Sequence, residues 1–195
     1  MNFTKNILSV VIPVYNEEKT ISTVIDEVLS RDEVAEIILI DDASADQSTK
    51  VIETYLSHNK IKLLRQTENM GKGAAIRKGF GEATAPIVII QDADLEYSPQ
   101  EYKTMLKPIL DGKADVVYGS RFQGGPGRVL YYRHQLGNKL LTFLSNIFTD
   151  LNFTDIETCY KAFKREVVQN INLESDRFGI EVELTAKIAK VKGLR

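Results

Sequence analysis

The chain has 195 residues, of which 43% are hydrophobic and 27% are charged, and its net charge is -2. This size and composition fit one globular domain over residues 1–195 and leave little room for a second. The slightly acidic balance argues against a general nucleic-acid-binding protein, so we expect no nucleic-acid partner. The single cysteine, Cys159, cannot form an internal disulfide, which indicates a reducing compartment such as the cytoplasm.

The two ends of the chain carry different signals. The apolar run Ile7–Val14 is interrupted by Pro13 and followed by acidic residues, which is typical of a strand and not of a signal peptide. No uninterrupted apolar span is long enough to cross a bilayer. Residues 181–194 have a helical pattern that runs toward what should be another strand, so we expect a domain truncated at its C-terminal end.

Short β-branched runs alternate with segments of helical periodicity along the chain. The predicted strands cover residues 7–15, 34–40, 61–64, 87–90 and 114–121. The predicted helices cover residues 21–28, 46–55, 74–80, 98–110, 129–148 and 181–194, with a short one around Val167. Asn16 is the predicted N-cap of the first helix. This alternation predicts an α/β fold with a mostly parallel sheet and helices on both faces.

Acidic residues collect at the carboxyl ends of the predicted strands, where open α/β sheets place their ligands. Glu17 follows the first strand, Asp42 the second, and Asp92, Asp94 and Glu96 the fourth. Clustered carboxylates repel one another unless a cation joins them, and hard oxygen ligands suit Mg²⁺ or Mn²⁺, which usually also holds substrate phosphates. The alternative is a set of ordinary loop acids, since Asp is common in turns.

The third strand leads into Gly71-Lys72-Gly73 at the start of a helix. Glycines at this position let the backbone come close to a ligand, and free amides at a helix N-terminus can bind a phosphate. A plain helix-start turn is equally compatible, because the spacing is not that of a P-loop or a dinucleotide fingerprint.

Residues 116–149 contain no acidic residue but include Arg121, Arg128, Arg133 and Lys139. In a slightly acidic protein this asymmetry indicates an anion-facing segment. The helix within it is rich in Leu, Ile and Phe, and two interpretations stay open. It is either a core-packing helix with solvated basic residues or a membrane-surface helix that meets lipid phosphates.

Neither histidine has a neighbour that suggests catalysis. His58 lies in a polar loop and His134 in the basic segment, and neither pattern is that of a triad or a zinc site. Cys159 is more typical of a buried small residue than of a nucleophile. We therefore assign no catalytic histidine.

Five motifs occur in order along the chain: Val11-Ile-Pro-Val-Tyr-Asn-Glu, Ile40-Asp-Asp-Ala-Ser-Ala-Asp, Asn69-Met-Gly-Lys-Gly, Gln91-Asp-Ala-Asp-Leu-Glu and Tyr118-Gly-Ser-Arg-Phe. Together they resemble the motifs of family 2 glycosyltransferases of the GT-A fold. The resemblance is strongest to the polyprenyl-phosphate branch, which includes dolichyl-phosphate mannose synthase. Five ordered motifs over nearly the whole chain are more specific than any single one.

The resemblance implies a role for particular residues. Those expected to bind the nucleotide sugar are Pro13, Tyr15, Glu17, Asp42, Met70, Gly71, Lys72 and Asp92. Asp92 and Asp94 match the family's DXD motif, so Asp92, Asp94 and Glu96 are the expected metal ligands, with Glu96 standing where mannose synthases often carry Gln. Asp94, Arg121 and Arg133 are the expected catalytic residues, the two arginines facing the diphosphate or the acceptor phosphate.

The function implied is metal-dependent, inverting transfer of a sugar from a donor of the GDP-mannose or UDP-glucose type to a polyprenyl phosphate. Such an enzyme would need Mg²⁺ or Mn²⁺ and would work at the cytoplasmic face of a membrane. One alternative is transfer to a saccharide hydroxyl, which requires a general base, and Asp155 or Glu157 could serve. A nucleotide-sugar-binding module without activity is the alternative of another class.

Overall fold

The computed structural model describes residues 5–121, 132–177 and 179–194, and the side chains of Tyr132 and His134 are not described. The segment Gln123–Gly127, whose glycines and proline predict a loop, and Arg128 lie outside these ranges. No helix in the described ranges is both long enough and apolar enough to span a bilayer.

A six-stranded sheet forms the centre of the molecule, in the order β3-β2-β1-β4-β6-β5. The strands are β1 Leu8–Val14, β2 Val34–Asp41, β3 Ile61–Arg65, β4 Ile87–Ile90, β5 Val116–Tyr118 and β6 Lys161–Lys164. Strands β1 to β4 pair in parallel, whereas β6 pairs antiparallel with both β4 and β5. The sheet is therefore mostly parallel, as predicted.

Helices cover both faces of this sheet. They are α1 Ile21–Leu29, α2 Ser48–Glu53, α3 Lys72–Glu82, α4 Tyr102–Leu110, α5 Tyr132–Thr149, α6 Arg165–Gln169 and α7 Ile180–Ala189. A 3₁₀ turn over Pro99–Glu101 precedes α4, and the Ser98 hydroxyl accepts a hydrogen bond from the Gln100 amide at its start.

Both faces of the central strands are buried, which explains why those strands are continuous apolar runs. Val10 and Ile12 of β1 belong to a core cluster with α1 and α4, while Val11 between them belongs to a second cluster with α3 and α7. Successive residues of a strand point to opposite faces, so one apolar run supplies two cores.

The chain turns sharply where each of the four parallel strands ends. Asn16, Ala43, Gly71 and Leu95 follow β1 to β4, and all have a positive φ between 58° and 98°. Only glycine adopts this region freely, and a leucine there is a strained residue of the kind that clusters at functional sites. These turns place the segments after the four strands along one rim of the sheet.

Two local predictions were wrong. Strand β6 was not predicted, because its first residue is Lys161 and a lysine makes the segment look polar. In the structure Lys161 is buried, with 1% of its surface exposed. Asn16 is not the N-cap of α1, because the helix begins at Ile21 and its N-cap is Thr20. The side-chain oxygen of Asn16 instead accepts a hydrogen bond from the Ala45 amide at 2.8 Å and joins the segments that follow β1 and β2.

Helix α3 packs close to the sheet at Gly79, where an added Cβ would overlap Val11 and lie 2.9 Å from Ile40. We expect Gly79→Ala to lower the free energy of unfolding by about 1–3 kcal/mol through overpacking. Gly81 on the same helix has nothing within 4 Å of an added Cβ, so Gly81→Ala should raise it by about 0.5–1 kcal/mol. Urea unfolding measures both, and equal stability of the two variants would contradict the close packing.

Candidate active site

A cleft of about 400 Å³ lies at the carboxyl ends of β1, β2 and β4, against the start of α3. Its lining residues are Pro13, Val14, Tyr15, Glu17, Asp42, Asn69, Gly71, Lys72, Ala75, Asp92, Ala93, Asp94 and Arg177. Most of the residues predicted from the sequence to bind a nucleotide sugar thus surround one cavity. Its position is the one that open α/β sheets use for ligands.

The carboxylate of Asp42 holds the loop after β3 in place. Its Oδ1 accepts hydrogen bonds from the Gln66 side chain at 2.7 Å and the Met70 amide at 2.8 Å, and its Oδ2 accepts one from the Gly71 amide at 2.8 Å. Asp42 is 3% exposed, so these bonds satisfy a buried charge. Asp42, which is predicted to bind the nucleotide sugar, therefore also positions the wall of the cleft.

The ammonium of Lys72 lies among several acidic or polarisable groups. Its Nζ is 2.8 Å from Asp92 Oδ1 and 3.7 Å from Glu181 Oε1, and it donates a hydrogen bond to Cys159 Sγ. Burial opposes the charged form, but Asp92, Cys159 and Glu181 raise the pKa of Lys72 above its ordinary value. Lys72 is therefore protonated at neutral pH and adds a positive charge to the lining of the cleft.

Cys159 is buried in this cluster, as predicted. Burial and the neighbouring carboxylate of Asp92 raise the pKa of its thiol, so at neutral pH it is an uncharged hydrogen-bond partner and not a nucleophile.

The carboxylates of Asp92, Asp94 and Glu96 converge after β4. One oxygen from each lies within 4.8 Å of the others, and the Glu96 amide donates a hydrogen bond to Asp94 Oδ1 at 3.0 Å. The positive φ of Leu95 turns the chain between the last two acids. Three hard oxygen donors with exposed or half-buried positions fit a hydrated Mg²⁺ or Mn²⁺ ion, which commonly keeps several waters.

The glycines on either side of Lys72 pack against the backbone of a distant segment of the chain. A Cβ on Gly71 or Gly73 would overlap the backbone of Ser175 and Asp176, and the Ala74 amide donates to the Asp176 carbonyl at 3.1 Å. The amides of Met70, Gly71 and Ala74 are thus engaged internally. These glycines are therefore explained by packing against residues 175–177, and the predicted free amides for a phosphate are largely absent from this turn.

The same packing brings Arg177 into the cleft, where it is exposed. Sequence reasoning missed this residue because it lies between the predicted elements and belongs to none of the five motifs. Its position beside Gly71 adds a second cation to the wall that already holds Lys72.

Arg121 and Arg133 do not line the cleft. The guanidinium of Arg121 makes a two-point contact with Asp155, from Nε to Oδ2 at 2.8 Å and from Nη2 to Oδ1 at 2.9 Å. Arg133 is exposed in the first turn of α5. Their predicted roles at a diphosphate or an acceptor phosphate stay predictions.

Asp155 and Glu157, the two carboxylates considered as general bases, have pKa values shifted in opposite directions. Burial raises the pKa of Asp155, but hydrogen bonds from Arg121 and Asn138 outweigh it and lower the pKa overall. Burial and the negative charge of Glu181 instead raise the pKa of Glu157, which is half-buried. Glu157 is therefore the better base of the two.

Known proteins are similar to this chain in sequence and in fold. The profile of Glycosyl transferase family 2 matches residues 9–171. The chain belongs to this family. It is 31% identical over 189 residues to Glycosyltransferase AglJ of Haloferax volcanii, covering 96% of this chain and 60% of that protein. It is 28% identical over 189 residues to the Dolichol-phosphate mannosyltransferase of Pyrococcus furiosus, covering 92% of this chain and 52% of that protein.

Among solved structures, glucosyl-3-phosphoglycerate synthase of Mycobacterium tuberculosis in complex with Mn²⁺, UDP and phosphoglyceric acid has a TM-score of 0.70 and 22% identity. The match covers 90% of this chain and 61% of that one. This family 2 glycosyltransferase chain thus has the expected GT-A fold, and it spans between 52% and 60% of the length of the two sequence relatives.

The Arg121–Asp155 pair generates a prediction about acid stability. Because the pKa of Asp155 is lowered on folding, the stabilisation is complete above the unfolded pKa of about 3.9 and is lost as the pH falls through the folded pKa. Asp155→Asn should lower the free energy of unfolding by about 3 kcal/mol at pH 7, and the effect should decrease as the pH falls below about 4.

Urea unfolding from pH 7 to pH 3 measures this dependence. Asp32→Asn is the control, since its pair with Lys5 is 3.7 Å long and mostly exposed, so its effect should be small at every pH. An Asp155→Asn effect that does not shrink toward pH 3 would contradict the assignment.

Proposed function

We propose that this chain is the donor-binding domain of an inverting, metal-dependent glycosyltransferase that moves a sugar from a nucleotide sugar to a polyprenyl phosphate. The observation that carries the proposal is the convergence of the carboxylates of Asp92, Asp94 and Glu96, of which Asp92 and Asp94 line the same cleft as Lys72. The Mn²⁺ and UDP bound in the M. tuberculosis synthase and the name of the P. furiosus relative support it.

The acidic and basic residues of the cleft have different proposed roles. Mg²⁺ or Mn²⁺ bound by Asp92, Asp94 and Glu96 would act as a Lewis acid for the departing nucleoside diphosphate. Lys72 and Arg177, which line the same cleft, would supply positive charge for the same phosphates. Pro13, Tyr15 and Glu17 lie at the end of β1, where we place the base and ribose.

The acceptor decides whether a general base is needed. A lipid phosphate is already an anion, so positioning it against the anomeric carbon is sufficient, and Arg121 and Arg133 are the residues we assign to it. The raised pKa of Glu157 favours one second candidate, transfer to a saccharide hydroxyl with Glu157 as base.

A transfer assay with the full-length protein tests the proposal. Radiolabelled UDP- or GDP-sugars with Mn²⁺ should label polyprenyl phosphate and not a saccharide acceptor. Asp94→Ala should lower the rate by about 100-fold or more, because it removes a ligand of the metal that neutralises the leaving group.

Asp111→Ala, which removes an exposed carboxylate at the end of α4, is the matched control and should leave the rate unchanged. Labelling of the saccharide alone, with loss of activity in Glu157→Gln, would support the second candidate instead. An unchanged rate in Asp94→Ala would contradict the metal site.

Helix α5 supports an acceptor at a membrane surface, because its amphipathic pattern is inverted. Its polar residues Asn138 and Thr142 are buried, and the Asn138 amide donates to Asp155 at 2.8 Å. Its apolar residues Leu136, Leu140, Phe143 and Ile147 form one stripe and are each more than half exposed. A soluble surface helix has the opposite arrangement.

The charges beside this stripe select an anionic bilayer as its partner. Arg133 and Lys139 lie on opposite sides of the stripe at helical spacing, and residues 116–149 include no acid. Basic side chains that flank an apolar face are typical of helices that lie in the interface of anionic membranes. We therefore assign the stripe to the bilayer surface that carries the acceptor.

Vesicle binding tests this assignment. The double variant Phe143→Gln, Ile147→Gln should bind vesicles of equal parts phosphatidylglycerol and phosphatidylcholine about 100-fold more weakly, since two large apolar side chains no longer enter the bilayer. Cosedimentation measures the loss. In the same assay the wild type should bind more weakly at high salt, because salt screens the attraction between its basic residues and the anionic lipids.

The control is Leu56→Gln, Leu110→Gln, which alters exposed apolar residues outside α5 and should bind as the wild type does. Equal binding by both double variants would contradict the assignment. A concentration-dependent dimer in sedimentation equilibrium that only the α5 variant abolishes would assign the stripe to a second copy of the chain.

A further inference from the structure

Glu181, at the start of α7, is a buried acid that none of the five motifs includes. It is 6% exposed, and its Oε2 has no hydrogen-bond partner among the described residues. Its Oε1 lies 3.7 Å from Lys72 Nζ and 3.6 Å from Cys159 Sγ. A buried carboxylate oxygen without a hydrogen-bond partner is unfavourable, so its presence requires an explanation.

Lys72 therefore has two carboxylates within reach and is unequally shared between them. Its Nζ is 2.8 Å from Asp92 and 3.7 Å from Glu181. Asp92 is also one of the three acids placed to bind a divalent cation. A divalent cation at Asp92 would compete with the ammonium for the same carboxylate, and like charges a few ångströms apart repel each other.

We propose that Glu181 is the second counter-ion of Lys72: when a divalent cation takes Asp92, the ammonium moves onto the free oxygen of Glu181. Glu181 is then a positioning residue that does not touch the cation. It keeps Lys72 in the cleft, where the ammonium still faces the donor phosphates. This inference rests on the proposed metal site and adds a residue and a movement to it.

A crystal structure of the wild-type protein with MnCl₂ tests the movement directly. Lys72 Nζ should lie within about 3.2 Å of a Glu181 oxygen and more than about 4 Å from Asp92. Mn²⁺ at the acidic cluster with Lys72 still on Asp92, or turned away from both acids, would overturn the inference and leave the metal site intact. Absence of Mn²⁺ from the cluster would overturn both.

Glu181→Gln tests the consequence for affinity, measured by electron paramagnetic resonance of free Mn²⁺. The neutral amide keeps the shape of Glu181 but no longer attracts the ammonium, so Mn²⁺ should bind about 10- to 100-fold more weakly, as is typical when a partner behind a ligand is removed. Glu166→Gln, the same change at an exposed position on α6, should shift the affinity by less than about twofold.

An unchanged affinity in Glu181→Gln would contradict the role of Glu181. A simple long-range attraction between Glu181 and Mn²⁺ would also weaken binding in the variant, but it would leave Lys72 on Asp92 in the wild-type crystal, and that result overturns the inference. If Glu181→Gln does not fold, the wild-type crystal decides alone.

Discussion

The parallel pairing of β1 with β2 and β4 is the constraint on which the site depends. Parallel strands end on the same side of a sheet, so Tyr15, Asp42 and Asp92 can meet at one cleft although they are far apart in sequence. Burial on both faces holds the register, because a shift by one residue would exchange the two cores. The residues with a positive φ that follow the strands then turn the chain at this rim.

Several carboxylates near this rim are held by hydrogen bonds or ion pairs within the protein. Backbone amides and Gln66 satisfy Asp42, Lys72 pairs with Asp92, and Arg121 pairs with Asp155. Asp94 is exposed and lines the cleft, and the half-buried Glu96 has a carboxylate oxygen within 4.8 Å of one from Asp94. The acids that have partners within the protein fix the shape of the cavity. Asp94 and Glu96 give it the negative potential that a cation needs, so the site is organised before a ligand arrives.

The fold and the strand-end residues were predictable because both follow from local pattern. Apolar runs bounded by turn residues predict the parallel strands, and acids placed after such runs must share one edge. Contacts between distant segments were not predictable in this way. The pairing of Lys72 with Glu181 and the approach of Arg177 to Gly71 each join residues about a hundred positions apart, and no local pattern encodes their distance.

Buried polar residues account for the other differences between prediction and structure. Lys161 reads as a surface residue, but it lies in the middle of the molecule, donates to the Thr158 carbonyl and has its ammonium 4.9 Å from the centre of the Tyr118 ring. Periodicity reports that a helix or strand has two different faces. It does not report which face is inside when a polar network replaces the apolar core.

Helix α5 shows what such an inversion achieves. The buried network runs from Thr142 through Asn138 to Asp155 and on to Arg121, so the orientation of the helix and that of the arginine are set by the same hydrogen bonds. An apolar core would have buried the stripe and released Arg121. With the polar face inside, the position of the exposed stripe is fixed relative to the guanidinium of Arg121, because both depend on the hydrogen bonds of Asn138 and Asp155.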